Sequence, residues 1–314
     1  MNTAHGTNSI RGILLVLCAG VLWGTTGTTQ SFSPDGLSPY WVGALRLAIA
    51  AMFFIAYAGA AIKPGRIRTS LAGMDWRRIL LAGACMAGYN LAFFAGVKAT
   101  GVAIGTALAL GSGPIWAGLL QIPGGGMPPR GWWPGTLLAV AGGVLLVLGR
   151  GGELRADPAG IALCLAAGFA YALYAILNKH MVHRADPGLV TLAVFSVAAI
   201  IALPAAWRWA GALDITGQGW AVVAFLGIAA TGIAYLLFSS GLRGITAASG
   251  VSLALMEPVT AFLLALAVVG ERPALAAYAG LAALLGGLAL VIRAEIAAAQ
   301  AESRKLRRRS CSCK

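Results

Sequence analysis

The chain has 314 residues, 59% hydrophobic and 11% charged, with a formal net charge of +13. A soluble domain runs at about 45–50% apolar and about 25% charged, and a core of this size cannot hide so much apolar surface. A water-soluble fold is therefore excluded, and so is intrinsic disorder, which needs low hydrophobicity. The 43 glycines follow no Gly-X-Y period, which excludes collagen, and such small residues suit close helix packing in lipid.

The spacing of apolar runs predicts ten membrane-spanning helices, at 11–30, 39–61, 77–98, 103–121, 132–149, 158–180, 188–207, 218–241, 247–270 and 275–293. The first run is followed by nine more and is not read as a signal peptide. The linker 62–76 is basic and is expected to be a solvated hinge. The run at 103–121 is interrupted by Gly111-Ser112-Gly113-Pro114. Between runs four and five lie Pro123, Gly124-Gly125-Gly126 and Pro128-Pro129; no Lys-Ser/Thr follows, so this is no phosphate loop. His180 and His183 have metal-like spacing, but the only acid nearby is Asp186, so no metal is expected. From Glu295 the chain is polar, with Arg304, Lys305, Arg307, Arg308 and Arg309, and reads as a mobile tail touching anionic headgroups.

The charge is topological and does not point to nucleic acid. Basic residues sit at the ends of apolar runs and in the tail. With a cytoplasmic N-terminus, 17 of the 23 Lys and Arg lie inside and 5 outside, with Arg46 within a span. That bias predicts both termini cytoplasmic, in a multi-pass protein expected in the plasma membrane. Cys18, Cys85 and Cys164 lie in apolar runs and read as small hydrophobes, not as a disulfide framework. Cys311 and Cys313 end the tail in a pattern that is not a prenylation signal.

The chain repeats internally. An offset of 144 aligns Trp76 with Trp220, Gly83 with Gly227, Gly88 with Gly232, Phe94 with Phe238, Pro114 with Pro258, and Gly142-Gly143 with Gly286-Gly287. Upstream, an offset of 148 aligns Ala19-Gly20 with Ala167-Gly168, Trp23 with Tyr171, and Gln30 with Asn178. The expected fold is thus an all-α membrane protein of ten transmembrane helices in two inverted five-helix repeats. Residues 1–150 form the first, 151–294 the second and 295–314 the tail. Five helices is an odd number, so the second half enters from the opposite face, a plan that supports alternating access.

Several stretches resemble the drug/metabolite transporter superfamily and, within it, the EamA-type ten-helix exporters. They are Ala-Gly-Val-Leu-Trp-Gly (19–24), Ala-Leu-Arg-Leu (44–47), Thr-Gly-Val-Ala (100–103), Gly-Ser-Gly-Pro (111–114), and Leu-Met-Glu-Pro-Val (255–259) running on to Gly270-Glu271. The likeness covers nearly the whole chain before the tail. It implies ATP-independent transport of small metabolites, often export of amino acids or related compounds. It also implies a central cavity lined mainly by helices 1, 3, 4, 6, 8 and 9. Members often carry a lysine near the end of helix 1; here Gln30-Ser31 stands there, so inferences resting on that lysine do not transfer.

Within those lining helices the polar and aromatic candidates for substrate contact are Trp23, Tyr89, Asn90, Ser112, Trp116, Tyr171, Tyr174, Asn178, Tyr235 and Ser239. Tyr171 and Tyr174 share a face that Asn178 continues. Arg46, a charge inside a span, needs a partner, a wet cavity or a path to the headgroups, and the resemblance favours a structural or gating role. Glu257 is the only acid well inside a span and is the candidate for proton coupling. Pro114 and Pro258 are expected to kink equivalent helices, freeing the carbonyls of Leu110 and Ala254.

No cofactor or catalytic group is expected. The alternative, an integral membrane enzyme acting on lipid-linked substrates, would want carboxylates or histidines clustered at one interface, and the acids are scattered. The partners expected are the bilayer and a small-molecule substrate.

Overall fold

The computed structural model describes residues 4–34, 37–124, 127–149, 157–270 and 273–312. In chain order its helices are α1 (Ala4–Gln30), α2 (Pro39–Ala61), α3 (Pro64–Ala72), α4 (Trp76–Thr100), α5 (Val102–Gln121), α6 (Trp132–Leu148), α7 (Pro158–Val182), α8 (Pro187–Ala210), α9 (Gly217–Gly227), α10 (Ala234–Gly241), α11 (Ala247–Leu253), α12 (Met256–Leu264) and α13 (Leu275–Ser312). Among the described residues, eight helical segments are long and apolar enough to cross a membrane. With them lie α5, 20 residues with Pro114 inside, and the shorter apolar α6 of 17 residues. This is a multi-pass membrane protein.

Helix starts follow local chemistry. Four helices begin with proline at the first positions, α2, α3, α7 and α8, where the missing N–H would have had no partner. Acids cap three helices, α7, α8 and α4. Asp157 accepts from Gly160 N at 3.0 Å, Asp186 from Gly188 N at 3.0 Å and Asp75 from Arg78 N at 3.3 Å. Gly211 leaves α8 at φ +72°, and its carbonyl accepts from Trp41 Nε1 at 3.1 Å.

The span at 218–241 is not one regular helix: α9 and α10 are joined by a π-helical turn at Ile228–Ile233. The span at 247–270 is broken at Ala254–Leu255 between α11 and α12 and ends in a second π-helical turn at Ala265–Val269. Pro258 lies four residues after Ala254, so its ring meets the carbonyl where the break occurs. Pro114, its counterpart by offset, sits inside an α5 that runs unbroken.

Two expectations are corrected. The 62–76 linker is not simply a hinge, since it contains α3, and Arg66 there pairs with Asp186 at 3.5 Å. Nor does the helix end near 293, because α13 continues to Ser312. Glu295, read as the first residue of a mobile tail, is only 6% exposed. It accepts from Thr246 N at 2.9 Å, from Thr246 Oγ1 at 3.1 Å and from Ser249 Oγ. A carboxylate thus sits on the positive N-terminal end of α11, which favours its burial. The tail side chains from Lys305 and residue Cys313 lie outside the described residues.

Glycine decides how the helices meet. Gly135, Gly142 and Gly149 of α6 and its end face backbone atoms of Val291, Leu284 and Ala277 in turn, so α6 and α13 run antiparallel in close contact. Gly20 of α1 lies against Met256 and the N–H of Glu257, and Gly168 of α7 lies against Ser112 and the N–H of Gly113. Gly83 packs on Val197, and Gly227 packs on Ile49. Each pair of contacts is related by the offsets of 148 and 144 found in the sequence.

Candidate functional site

A cavity of about 410 Å³ opens among α1, α2, α4, α5, α7, α8 and the irregular α9–α10 and α11–α12 spans. That size lies within the range of small-molecule sites, about 300–1,000 Å³. It reaches from Glu257 and Tyr235 to the bundle end where α1 stops at Gln30 and α2 starts at Pro39.

Six aromatics, Trp23, Tyr89, Phe93, Phe94, Tyr171 and Phe195, wall the cavity together with Tyr235. Trp23 is the hub of the floor, with its ring centroid 4.9 Å from Tyr235, 5.4 Å from Phe238 and 6.3 Å from Tyr171. The indole Nε1 of Trp23 and the hydroxyl of Tyr171 are buried with no hydrogen-bond partner among the described residues. Buried polar atoms are normally paired, so these two lining residues have hydrogen-bonding capacity to spare.

Arg46 and Glu257 both line the cavity. They form no ion pair within 4 Å; the described ion pairs are Arg66–Asp186 and Arg78–Asp75. Arg46 instead donates Nε to Thr231 Oγ1 at 2.9 Å, and Thr231 donates to Leu226 O at 2.7 Å. The π-helical turn puts Leu226 five residues back from Thr231, so the irregular helix itself orients the arginine's anchor. Asn90 donates Nδ2 to Met86 O at 3.0 Å, which leaves its carbonyl oxygen for the cavity.

Of the sequence candidates, Trp23, Tyr89, Asn90, Tyr171, Tyr235, Arg46 and Glu257 line this cavity. Tyr174, Asn178 and Ser239 do not. They are fully buried beneath its floor, where Asn178 donates Nδ2 to Ser239 Oγ at 2.9 Å and to Tyr174 OH at 3.2 Å. Ser112 packs on Gly168, its hydroxyl returning to Ala109 O at 3.4 Å. Trp116 stacks edge-on against Phe169 at 5.5 Å, away from the cavity. Pro258 lines a separate small void with Leu110 and Val140.

Sequence reading missed Thr26, Gln30, Phe93, Phe94, Thr106, Phe195 and Thr231 in the lining. Threonine and phenylalanine in an apolar helix resemble packing residues. The signals were Phe94 and Gln30, already matched by the repeat to Phe238 and Asn178.

On the far side of the floor a second hollow, about 340 Å³, is lined by Arg11, Tyr57, Asp186, Ser240 and Arg243 among others. Helix ends are strapped there. Arg243 donates to Val182 O at 2.7 Å and Ala185 O at 2.8 Å, while Lys179 donates to Leu242 O at 2.7 Å. Burial, then the charges of Lys179, Arg243 and His180, hold His183 below the usual histidine range.

The profile of the EamA-like transporter family matches residues 10–148 and again 158–293. The chain belongs to that family. It is 36% identical over 281 residues to the uncharacterized transporter YwfM of Bacillus subtilis (strain 168), covering 88% of this chain and 92% of that one. It is also 34% identical over 169 residues to the uncharacterized protein PA1977 of Pseudomonas aeruginosa PAO1, covering 54% and 57%. A crystal structure of a protein 22% identical to this EamA-like chain matches its fold at a TM-score of 0.76, covering 89% of this chain and 95% of that one. At that identity the likeness speaks for the fold alone.

Proposed function

We propose that this EamA-like protein is a secondary transporter working by alternating access, with ten membrane helices in two inverted halves and both termini cytoplasmic in the plasma membrane. The two profile matches divide between residues 148 and 158, and the offset-related glycine contacts support the same division. The observation that carries the reading is the cavity itself. It runs from mid-bundle to one end and is floored by a buried aromatic and polar layer, with a second hollow beyond that floor.

The substrates are small metabolites, amino acids or related compounds, moved outward. Arg46 and Glu257 bring opposite charges to one aromatic-walled cavity, which fits a molecule with an anionic group, a cationic group and an apolar body. The basic tail contacts anionic lipid.

The test begins with a thermal-shift screen of the purified protein against amino acids, nucleosides and amines, since a ligand of the folded state raises the melting temperature. The selected compound is then assayed for counterflow in proteoliposomes. Exchange of labelled for unlabelled compound supports a carrier; chemical conversion without exchange supports the enzyme reading instead.

A further inference from the structure

Beneath the cavity floor, Tyr174, Asn178, Thr191 and Ser239 form a polar cluster between α7, α8 and α10, each at most 1% exposed. Asn178 holds Ser239 and Tyr174 as described, and the Thr191 hydroxyl meets Ser239 Oγ at 3.1 Å. Among the described residues the Asn178 carbonyl oxygen has no partner. A buried acceptor without a partner is destabilising, so a permanent packing layer at this place would be better made of leucine. The cluster also lies where the two hollows would join: Ser240, next to Ser239, lines the far hollow, while Tyr171 and Tyr235 line the cavity.

The repeat supplies the counterpart of this layer. By the offsets of 148 and 144, Asn178 corresponds to Gln30, Tyr174 to Thr26, Thr191 to Gly43 and Ser239 to Ala95. Thr26 and Gln30 line the open end of the cavity. The lengths are complementary: the short Asn178 faces hydroxyl side chains, whereas the longer Gln30 has as counterpart partners a glycine and an alanine, which leave room for one more methylene.

We propose that Asn178 and Gln30 are the paired gate residues of the two ends, the Asn178 cluster sealing the end shut in this structure and Gln30 sealing the other against α4 near Ala95 when the first opens. This rests on the alternating-access reading above. The inner seal has side-chain hydrogen bonds that the Gly43–Ala95 side lacks, so it is the tighter of the two, and the state described here is the resting one.

The test uses a full-length chain with its native cysteines replaced and Ser239→Cys as a near-isosteric reporter, with Asn178→Cys as a second reporter. Folding of each variant is checked by gel filtration. An impermeant maleimide is applied to inside-out vesicles, with and without an oxidised Gln30→Cys/Ala95→Cys pair. The expected result is slow reporter labelling without the pair, disulfide formation by the pair, and labelling faster by about tenfold or more once it forms. Slow labelling with no disulfide, or with a disulfide that leaves the rate unchanged, overturns the gate pairing but leaves alternating access standing. Neither reporter labelling from this side, with no disulfide, overturns both.

Discussion

Arg46 is anchored on Thr231 by a single 2.9 Å hydrogen bond from Nε, which ties α2 to the π-helical turn of the α9–α10 span. Thr231→Val keeps the shape and removes the acceptor. Interhelical hydrogen bonds in membranes average about 0.6 kcal/mol, with a maximum near 1.7, so the variant should melt slightly lower. Ligand affinity should fall severalfold, and Thr231→Ser should restore both. A valine variant equal to the parent in melting temperature and ligand affinity would remove this anchor from the site.

Glu257 faces the same cavity and forms no ion pair among the described residues. If it carries the proton during transport, Glu257→Gln should abolish transport driven by a pH gradient while sparing counterflow, which moves no net proton. Unchanged pH-driven transport excludes it from coupling. Loss of both activities in a folded variant assigns it to substrate binding.

Gly142 and Gly88 make opposite predictions. A side chain at Gly142 would run into the α13 backbone at Gly280 and Leu284, whereas nothing lies within 4 Å of a Cβ at Gly88. Gly142→Leu should destabilise by more than the about 1–3 kcal/mol typical of overpacking, because backbone yields less than side chains. Gly88→Ala should be neutral or slightly stabilising. Thermal unfolding in one detergent compares them, and a tolerated leucine at 142 would contradict the close α6–α13 contact.

Glu295 clips α13 to the start of α11. Glu295→Ala leaves the Thr246 N–H and the Ser249 hydroxyl without their partner, at a cost of about 1–3 kcal/mol. Glu295→Gln, which keeps one acceptor, should lie between. Melting curves that place alanine level with the parent would return this residue to the tail.

Sidedness is tested in intact cells, again without native cysteines. A cysteine replacing Asp214 should react with an impermeant reagent, and one replacing Arg66 should not. The reverse pattern would invert the orientation read from charge.

The membrane class and the repeat were legible in the sequence because each depends on local properties. A run either is apolar enough for lipid or is not, and an offset needs no coordinates. The side chains that face the cavity were not legible in the same way. These helices are apolar all round, so no polar stripe marks an inner face. Tyr171 and Tyr174 share a helix face, yet one walls the cavity and the other is sealed beneath it. Their depth relative to Trp23 and Phe238 made that difference, and only packing between helices distant in sequence sets depth. Glu295 belongs to the same case. Its polar neighbours suggested a free tail, but the N-cap N–H of α11 at Thr246, 49 residues earlier, takes this carboxylate as its acceptor, and only the tertiary structure brings the two together.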